Sequence, residues 1–220
     1  MDNKTLVTQY IKNNTFKYKI KDLNIYNIPY DDRLNYINNY FNPPIDFIAQ
    51  HVEHYRTYTY EWWKAFMNHN LNTITNVTFI YTDSILMPGL SGLHICGILC
   101  IVRRHLLREI YGRLLCSNCN CGSMLVKYTL QKYNKSNLYH WITLHTLESL
   151  VSYYEKYGWI KTKYYSAVHE DGSVYPYMIL STSSEYTLRF YHIYKLVLYI
   201  LLNMVCPQDT MRFFLPGHKY

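Results

Sequence analysis

The sequence predicts an α/β fold of the mixed α+β kind, in which helices flank one central twisted mixed sheet and an extra helix follows at the C-terminus. Three observations predict it. Hydrophobic residues make up 49% of the 220 positions and charged residues 17%, which is too apolar for a disordered chain. Segments of period two alternate with segments whose apolar residues recur every three or four positions. Gly and Pro number only 8 and 7, so we expect continuous structure.

The N-terminal third predicts one strand followed by two helices. Apolar and basic side chains alternate after Phe16, which predicts a strand near 16–27. Asp31 or Asp32 can cap a first helix that the following Asn-Pro-Pro stops. A second, longer helix is predicted over 45–66, because its apolar residues recur at spacings of three and four.

The rest of the chain predicts six strands and three helices. Period-two patterns and short apolar runs bounded by turn residues predict strands over 74–81, 94–102, 106–115, 138–145, 159–167 and 174–180. Gly122 opens a helical stretch, and a short helix from Leu147 to Tyr154 is followed by Gly158, a typical C-cap residue.

The C-terminal segment contains the longest apolar stretch, Ile193 to Val205, which is interrupted by Lys195 and Asn203. This stretch falls short of the roughly 20 residues of a membrane-spanning helix. We expect a packed terminal helix, and the alternative is a helix that binds a membrane surface or a partner. The predicted domain covers 1–181, with 182–220 as a helical extension packed on it.

Charge and composition limit the classes of partner. The formal net charge of +7 favours anionic ligands in general, but the densest basic cluster, Arg103 to Arg108, is broken by leucines, so we expect no nucleic-acid partner. The start of the chain lacks the apolar region of a signal peptide, which predicts a cytoplasmic protein with reduced cysteines. The 26 tyrosines are typical of an A- and T-rich genome and consistent with a viral source.

Three segments resemble the GNAT superfamily of N-acyltransferases over roughly 16–181. They are Cys121-Gly-Ser-Met-Leu-Val-Lys-Tyr, Leu138-Tyr-His-Trp-Ile-Thr-Leu and Val151-Ser-Tyr-Tyr-Glu-Lys-Tyr-Gly-Trp. In that family a helix ends in Tyr-x-x-x-Gly-aromatic before the next strand, and Tyr154, Gly158 and Trp159 fit this signature. The predicted order of strands and helices also matches the family's fold.

The resemblance implies an acyl donor, acetyl-CoA, and a primary amine acceptor that attacks directly in a ternary complex. It implies that backbone amides at a helix N-terminus hold the pyrophosphate and that the pantetheine arm lies beside the preceding strand. The cofactor-binding residues so implied are Leu115, Cys116, Ser117, Asn120, Cys121, Gly122, Ser123 and Met124.

The catalytic roles implied by the resemblance fall on Tyr154 and Glu109. The Tyr154 hydroxyl would protonate the leaving thiolate as general acid, with Tyr153 and Tyr157 as nearby substitutes. Glu109 would deprotonate the attacking amine, directly or through water. The alternatives are a core tyrosine for Tyr154, because it shares an apolar face with Val151, and an exposed, inert strand-end charge for Glu109.

The chain departs from the family pattern at three positions. Ser117 stands where the family has Arg or Gln, Asn120 where it has Gly, and Leu147 where it often has Asn. Asn tolerates a left-handed backbone, and Lys127 could replace the missing cation. These departures and the extra helix leave a second hypothesis, a GNAT-fold interaction protein that has lost catalysis.

The cysteines suggest a third hypothesis, a zinc site. Cys96, Cys100, Cys116 and Cys119 have spacings like those of a zinc ribbon. Two cysteines four residues apart on one strand are about 13 Å apart, which is too far for one tetrahedral ion, so we expect Cys96 and Cys100 to be core residues and predict no metal. Another alternative is a reactive thiol, activated by a helix N-terminus, among Cys116, Cys119 and Cys121.

The acceptor is not set by any motif. The aromatic residues of the second predicted helix offer a stacking or hydrophobic acceptor groove, but a core helix with exposed tyrosines explains them as well; they are Tyr55, Tyr58, Tyr60, Trp62 and Trp63. No set of residues suggests a Ser-His-Asp triad. The sequence leaves the oligomeric state open.

Overall fold

The fold was analysed in a computed structural model, which describes residues 18–25, 27–29, 31–33, 35, 47–48, 57–58, 60–82, 94–117, 121–134, 136–168 and 172–205. The strands are β1 (Tyr18–Asn24), β2 (Phe47–Ile48), β3 (Thr57–Tyr58), β4 (Asn76–Thr82), β5 (His94–Arg104), β6 (Glu109–Ser117), β7 (Trp141–His145), β8 (Ile160–Val168) and β9 (Val174–Ser181). The α-helices are α1 (Tyr60–Asn70), α2 (Cys121–Tyr133), α3 (Val151–Glu155) and α4 (Leu188–Val205).

Seven of these strands form one mixed sheet. Its strand order is β1-β4-β5-β6-β7-β9-β8. β6 and β7 are parallel, with Glu109 opposite Trp141, whereas β1–β4, β4–β5, β7–β9 and β8–β9 are antiparallel. The predicted mixed α/β fold class, with helices and one central mixed sheet, is therefore confirmed.

The N-terminal third differs from the prediction. Phe47 and Ile48 pair with Thr57 and Tyr58 in a separate two-stranded sheet, and the helix begins at Tyr60. The helix predicted over 45–66 is therefore wrong in its first part. Here pairing between two strands overrides an apolar spacing of three and four.

The chain forms two compact units. The first consists of 1–102 and 113–129, and the second of 103–112 and 130–220. The predicted domain boundary at 181 stays a prediction. None of the helices in the described ranges combines the length and hydropathy needed to cross a membrane.

The first unit has an apolar core between α1 and its strands. Trp63 and Met67 on α1 are buried with Val77, Phe79 and other residues of this core. The Trp63 ring meets the Phe79 ring edge-on at 6.1 Å between centroids. Trp63 is thus a core residue of a helix, which agrees with the core-helix prediction for this aromatic region and not with an acceptor groove. Tyr55 lies outside the described residues.

The second unit has an aromatic core in which α4 packs on β7. Trp141 of β7 is fully buried, and its ring lies 5.0 Å from the ring of Tyr191 and 5.5 Å from that of Tyr194 on α4. The Tyr194 hydroxyl donates a hydrogen bond to the Leu106 carbonyl at 2.7 Å. The predicted C-terminal helix is confirmed, and it begins at Leu188, five residues before the apolar stretch that predicted it.

Candidate active site

The predicted phosphate-binding segment connects β6 to α2 within the first unit. Leu115, Cys116 and Ser117 end β6, and α2 begins at Cys121, one residue before the predicted Gly122. Asn120 lies outside the described residues. The thiol-bearing Cys121 is fully buried, whereas Ser123 and Met124 are half-buried in the first turn.

The N-terminus of α2 suits an anion. Its first turn contains no acidic residue, so the positive end of the helix dipole is not offset by a carboxylate within that turn. Gly97 on β5 lets this end of the helix approach the sheet, because a Cβ atom there would lie 2.9 Å from Leu125 Cδ1 and 3.5 Å from the Cβ of Cys121. The residues present therefore fit a phosphate group, although the Arg or Gln of the family pattern is replaced by the buried Ser117.

Four cysteines in the described part of the first unit are core thiols. Cys96, Cys100, Cys116 and Cys121 are all buried, which confirms the core position predicted for Cys96 and Cys100. Burial raises the pKa of Cys116 far above its usual value, and burial together with Cys116 does the same for Cys100. The reactive thiol considered for Cys116 is therefore wrong. No group of three or more His, Cys, Asp or Glu side chains within the described ranges could hold a metal ion.

The Tyr-x-x-x-Gly-aromatic signature folds as one turn at the end of α3. Gly158 has φ +93°, the left-handed conformation of a C-cap glycine, and the Trp159 amide donates to the Tyr154 carbonyl at 3.3 Å. The rings of Tyr154 and Trp159 lie 5.8 Å apart. Leu147 precedes a 3-10 turn and makes no side-chain cap bond, where an Asn could make one.

Tyr154 is a buried residue with a strongly held proton. Its side chain is 5% exposed and lies on the face of α3 that also buries Val151, so the predicted core position is confirmed. Burial, with a smaller effect of Tyr153, raises its pKa well above the usual value. Its catalytic role stays a prediction.

Glu109 lies at the centre of a buried polar cluster in the second unit. The side chain is 0% exposed, so the alternative of an exposed strand-end charge is wrong. Oε1 accepts hydrogen bonds from Arg104 Nη1 at 2.7 Å, Thr143 Oγ1 at 2.7 Å and the Tyr177 hydroxyl at 3.1 Å, and Oε2 accepts one from the Tyr191 hydroxyl at 2.9 Å. The role of Glu109 as general base stays a prediction.

The charge of Glu109 is stabilised by its neighbours. Burial alone raises the pKa of this carboxyl, but Arg104 and Lys195, with the hydrogen bonds of Thr143 and Tyr191, bring the pKa below its usual value. Glu109 is therefore ionised at neutral pH.

A histidine extends this cluster toward β8. His145 Nε2 lies 2.8 Å from the Tyr165 carbonyl oxygen and Nδ1 lies 3.0 Å from the Tyr111 hydroxyl. Burial, with Arg104 and Lys195, lowers the pKa of His145 to about 4. The neutral ring therefore donates from Nε2 to the carbonyl and accepts the Tyr111 proton at Nδ1.

Lys195 brings a second positive charge to the cluster from α4. Its side chain is 2% exposed, and burial lowers its pKa to about 8, although Glu109 acts in the opposite direction. The motifs of the sequence indicate neither Lys195 nor Tyr191. The available signal was the lysine itself, since a cation inside an apolar helix requires a buried polar environment.

Comparison with models of protein families gives no match for this chain, and comparison with curated proteins gives none either. Among solved structures, the chain is similar to several of the spermidine N-acetyltransferase SpeG from Vibrio cholerae. A point variant shares 13% identity with a TM-score of 0.45, over 77% of this chain and 96% of that chain.

Two further structures of the same protein show the same degree of similarity. A dodecameric form shares 16% identity with a TM-score of 0.45, over 78% of this chain and 97% of that chain. A chimera with hSSAT shares 14% identity with a TM-score of 0.46, over 77% of this chain and 97% of that chain. All three are N-acetyltransferases.

Proposed function

We propose that this protein is an acyl-CoA-dependent N-acyltransferase that moves an acetyl group from acetyl-CoA to a primary amine by direct attack in a ternary complex. The observation that carries the proposal is the Tyr154, Gly158 and Trp159 signature, which adopts its expected turn in a chain with the GNAT-like order of strands and helices. The cytoplasm is the compartment we propose, on the sequence prediction.

The donor site is proposed at the end of β6 and the first turn of α2. The amides of Cys121, Gly122, Ser123 and Met124 would bind the pyrophosphate, because the N-terminus of a helix is the positive end of its dipole and suits a phosphate group. Leu115 would lie beside the pantetheine arm. Bound there, acetyl-CoA supplies an activated thioester carbonyl.

Tyr154 is proposed as the general acid. A hydroxyl with a raised pKa holds its proton at neutral pH, which is the form required to protonate a departing thiolate. The departing sulfur takes the proton as the C–S bond breaks, and water or a neighbouring group returns a proton to the tyrosine. Tyr153 lies close enough to act as a substitute, with its ring 5.1 Å from that of Tyr154.

Glu109 is proposed to act on the amine side as a fixed negative charge, in addition to the base role that the sequence suggests. Four hydrogen bonds occupy its two oxygens and its pKa is below the usual value, so it accepts a proton less readily than an ordinary carboxylate. A fixed anion stabilises the positive charge that develops on an attacking amine.

The first test is binding of acetyl-CoA to the purified protein. Binding to the native state must raise the melting temperature, so we expect Tm to increase with acetyl-CoA up to millimolar concentration. Adenosine is the control, because it lacks the pyrophosphate and the thioester. If acetyl-CoA leaves Tm unchanged at millimolar concentration, the enzyme proposal fails.

A second candidate is a GNAT-fold interaction protein without catalysis. The observation that favours it is the exposed apolar surface of α4, on which Leu196, Val197, Ile200, Leu201 and Met204 are each about half exposed or more. This candidate predicts a protein that binds no acetyl-CoA and self-associates or binds a partner through α4. Sedimentation of the wild type and of Leu201→Gln, with the Tm measurement above, separates the two functions.

A further inference from the structure

Lys195 is a buried primary amine whose terminal nitrogen makes no hydrogen bond to any described residue. The side chain is almost inaccessible and sits on α4 between apolar neighbours. A charged group in such a place is unfavourable unless its surroundings replace the lost water. The groups that surround the nitrogen therefore reveal what this part of the second unit is built to hold.

Three tyrosine rings surround that nitrogen. Lys195 Nζ lies 4.3 Å from the ring centroid of Tyr165, 5.0 Å from that of Tyr191 and 5.2 Å from that of Tyr177. Each distance is within the range of a cation–π contact. These three rings, here called the tyrosine cage, come from β8, β9 and α4.

Two rings of the tyrosine cage are fixed by Glu109. The hydroxyls of Tyr177 and Tyr191 both donate to its carboxylate, and they lie 2.9 Å from each other. The carboxylate thus fixes the ring orientations and supplies a negative charge close to the cage.

The third ring is held by an irregularity in β8. The pairing of β8 with β9 shifts between Thr162 and Ala167, and Tyr165 within this shift has φ +66°, which is rare for a bulky side chain. Its carbonyl is bonded to His145, and its ring stacks on His192 at 5.7 Å. The backbone is therefore held in an unfavourable conformation that brings this ring over the amine.

We propose that the tyrosine cage and Glu109 form a binding site for a primary aliphatic amine, and that Lys195 occupies this site as an internal ligand. The rings face the nitrogen and the carboxylate balances its charge, while burial increases the fraction of neutral amine relative to an exposed lysine. A neutral amine is the form that attacks an acyl carbon. That such an amine is the acceptor substrate rests on the proposed N-acyltransferase activity. An external amine then competes with Lys195 for the site.

The site is tested by emptying it and supplying the missing atoms. Lys195→Ala removes three methylene groups and the amine, which together correspond to n-propylamine. We expect n-propylamine at pH 9 to raise the Tm of Lys195→Ala in a saturable way, by about 2–4 °C at about five times its Kd. Lys195→Met, in which an apolar chain fills the cage, is the matched control, and n-propanol is the control ligand.

Each outcome decides the inference. A saturable rise in Tm that occurs only in Lys195→Ala, and only with n-propylamine, supports the inference. No rise in a folded Lys195→Ala protein, or an equal rise in Lys195→Met or with n-propanol, overturns it. If Lys195→Ala folds only when n-propylamine is present, the site is supported; if it stays unfolded with the amine while Lys195→Met folds, the inference fails.

Amine binding is measured without acetyl-CoA, so its result is independent of the proposed enzyme activity. Acetylation of n-propylamine is then measured separately in the wild type and in Lys195→Ala. Faster transfer in Lys195→Ala supports competition by Lys195. Amine binding with no transfer in either protein leaves the amine site in place and counts against the enzyme proposal.

Discussion

Arg104 donates a hydrogen bond to Glu109 at 2.7 Å, and these two residues stand at the end of β5 and the start of β6, on either side of one turn. The carboxylate is completely buried and most of the guanidinium is covered. Removing one partner of such a pair leaves an uncompensated charge. We expect Arg104→Met to lower the free energy of unfolding by about 3–5 kcal/mol, measured by urea denaturation.

Arg189→Met is the control for that prediction, because Arg189 is exposed on α4. We expect it to change the free energy of unfolding by less than about 0.5 kcal/mol. The double variant Arg104→Met/Glu109→Gln should recover part of the lost free energy of unfolding, because it has no buried carboxylate that lacks its arginine partner. A loss below about 1 kcal/mol for Arg104→Met alone would show that the pair contributes little.

Local patterns predict the strands of the sheet, α2, and the turn at Gly158, because period and turn residues act within a few positions. The wrong prediction of a helix in the first part of 45–66 also comes from reading a local pattern. Residues 47–48 fit a helical spacing locally, but their pairing with 57–58 decides their structure.

The amine site could not be predicted in this way. Tyr191 and Glu109 are 82 positions apart, and no periodicity connects α4 with the start of β6. Tyr165 joins the site through a shift in strand register and a positive φ, which no residue type signals. Glu109 was found from the family resemblance, while its burial depends on a helix that the resemblance does not cover.

Lys195 predicts a stability that rises with pH. Its pKa is about 8 in the folded protein against 10.5 for the usual value, so the unfolded chain binds more protons between these pH values. The stability of the wild type relative to Lys195→Met should therefore increase by about 2.5 kcal/mol from pH 7 to pH 10, at about 1.4 kcal/mol for each pKa unit. Urea denaturation of both proteins at each pH measures it.

Comparison with Lys195→Met isolates this effect from the other groups of the cluster. The raised pKa values of Tyr177 and Tyr191 lower stability as pH rises through about 10, at the upper end of the window of Lys195, and they do so in both proteins. The charged and titratable groups that face Lys195 include Glu109, Arg104 and His192, and all three remain in both proteins. A difference that stays constant with pH would contradict the burial of a titrating amine.

His145 predicts a loss of stability in mild acid. Its pKa is about 4 in the folded protein against 6.5 for the usual value, so the unfolded chain binds a proton first as pH falls. Relative to His145→Gln, the wild type should lose about 3 kcal/mol between pH 7.5 and pH 4. Glu109 also lowers stability once pH falls through about 4.5, the usual value from which its pKa is lowered, and it does so in both proteins. Equal pH dependence in both proteins would contradict a neutral, buried His145.

The close contacts around Gly97 leave little space for a side chain beside the N-terminus of α2. In Gly97→Ala the new Cβ would lie 2.9 Å from Leu125 Cδ1 and 3.5 Å from the Cβ atoms of Cys121 and Ser117. We expect a loss of about 1–3 kcal/mol in the free energy of unfolding, with weaker binding of acetyl-CoA because the helix start is displaced. Adding Leu125→Val should restore part of the free energy of unfolding and part of the acetyl-CoA binding. If neither recovers, the loss has a cause other than this contact.

Tyr154 is the residue whose substitution should separate chemistry from binding. We expect Tyr154→Phe to lower kcat at least about tenfold, while the Kd of acetyl-CoA stays within about twofold, because the ring is kept and only the proton donor is lost. Tyr153→Phe and Tyr157→Phe are the matched controls, since the Tyr153 ring lies 5.1 Å from that of Tyr154 and the Tyr157 ring lies 5.5 Å from that of Tyr153. Steady-state turnover and calorimetric binding measure the two quantities. Unchanged turnover in Tyr154→Phe with a loss in Tyr153→Phe would assign the proton to the neighbouring hydroxyl instead.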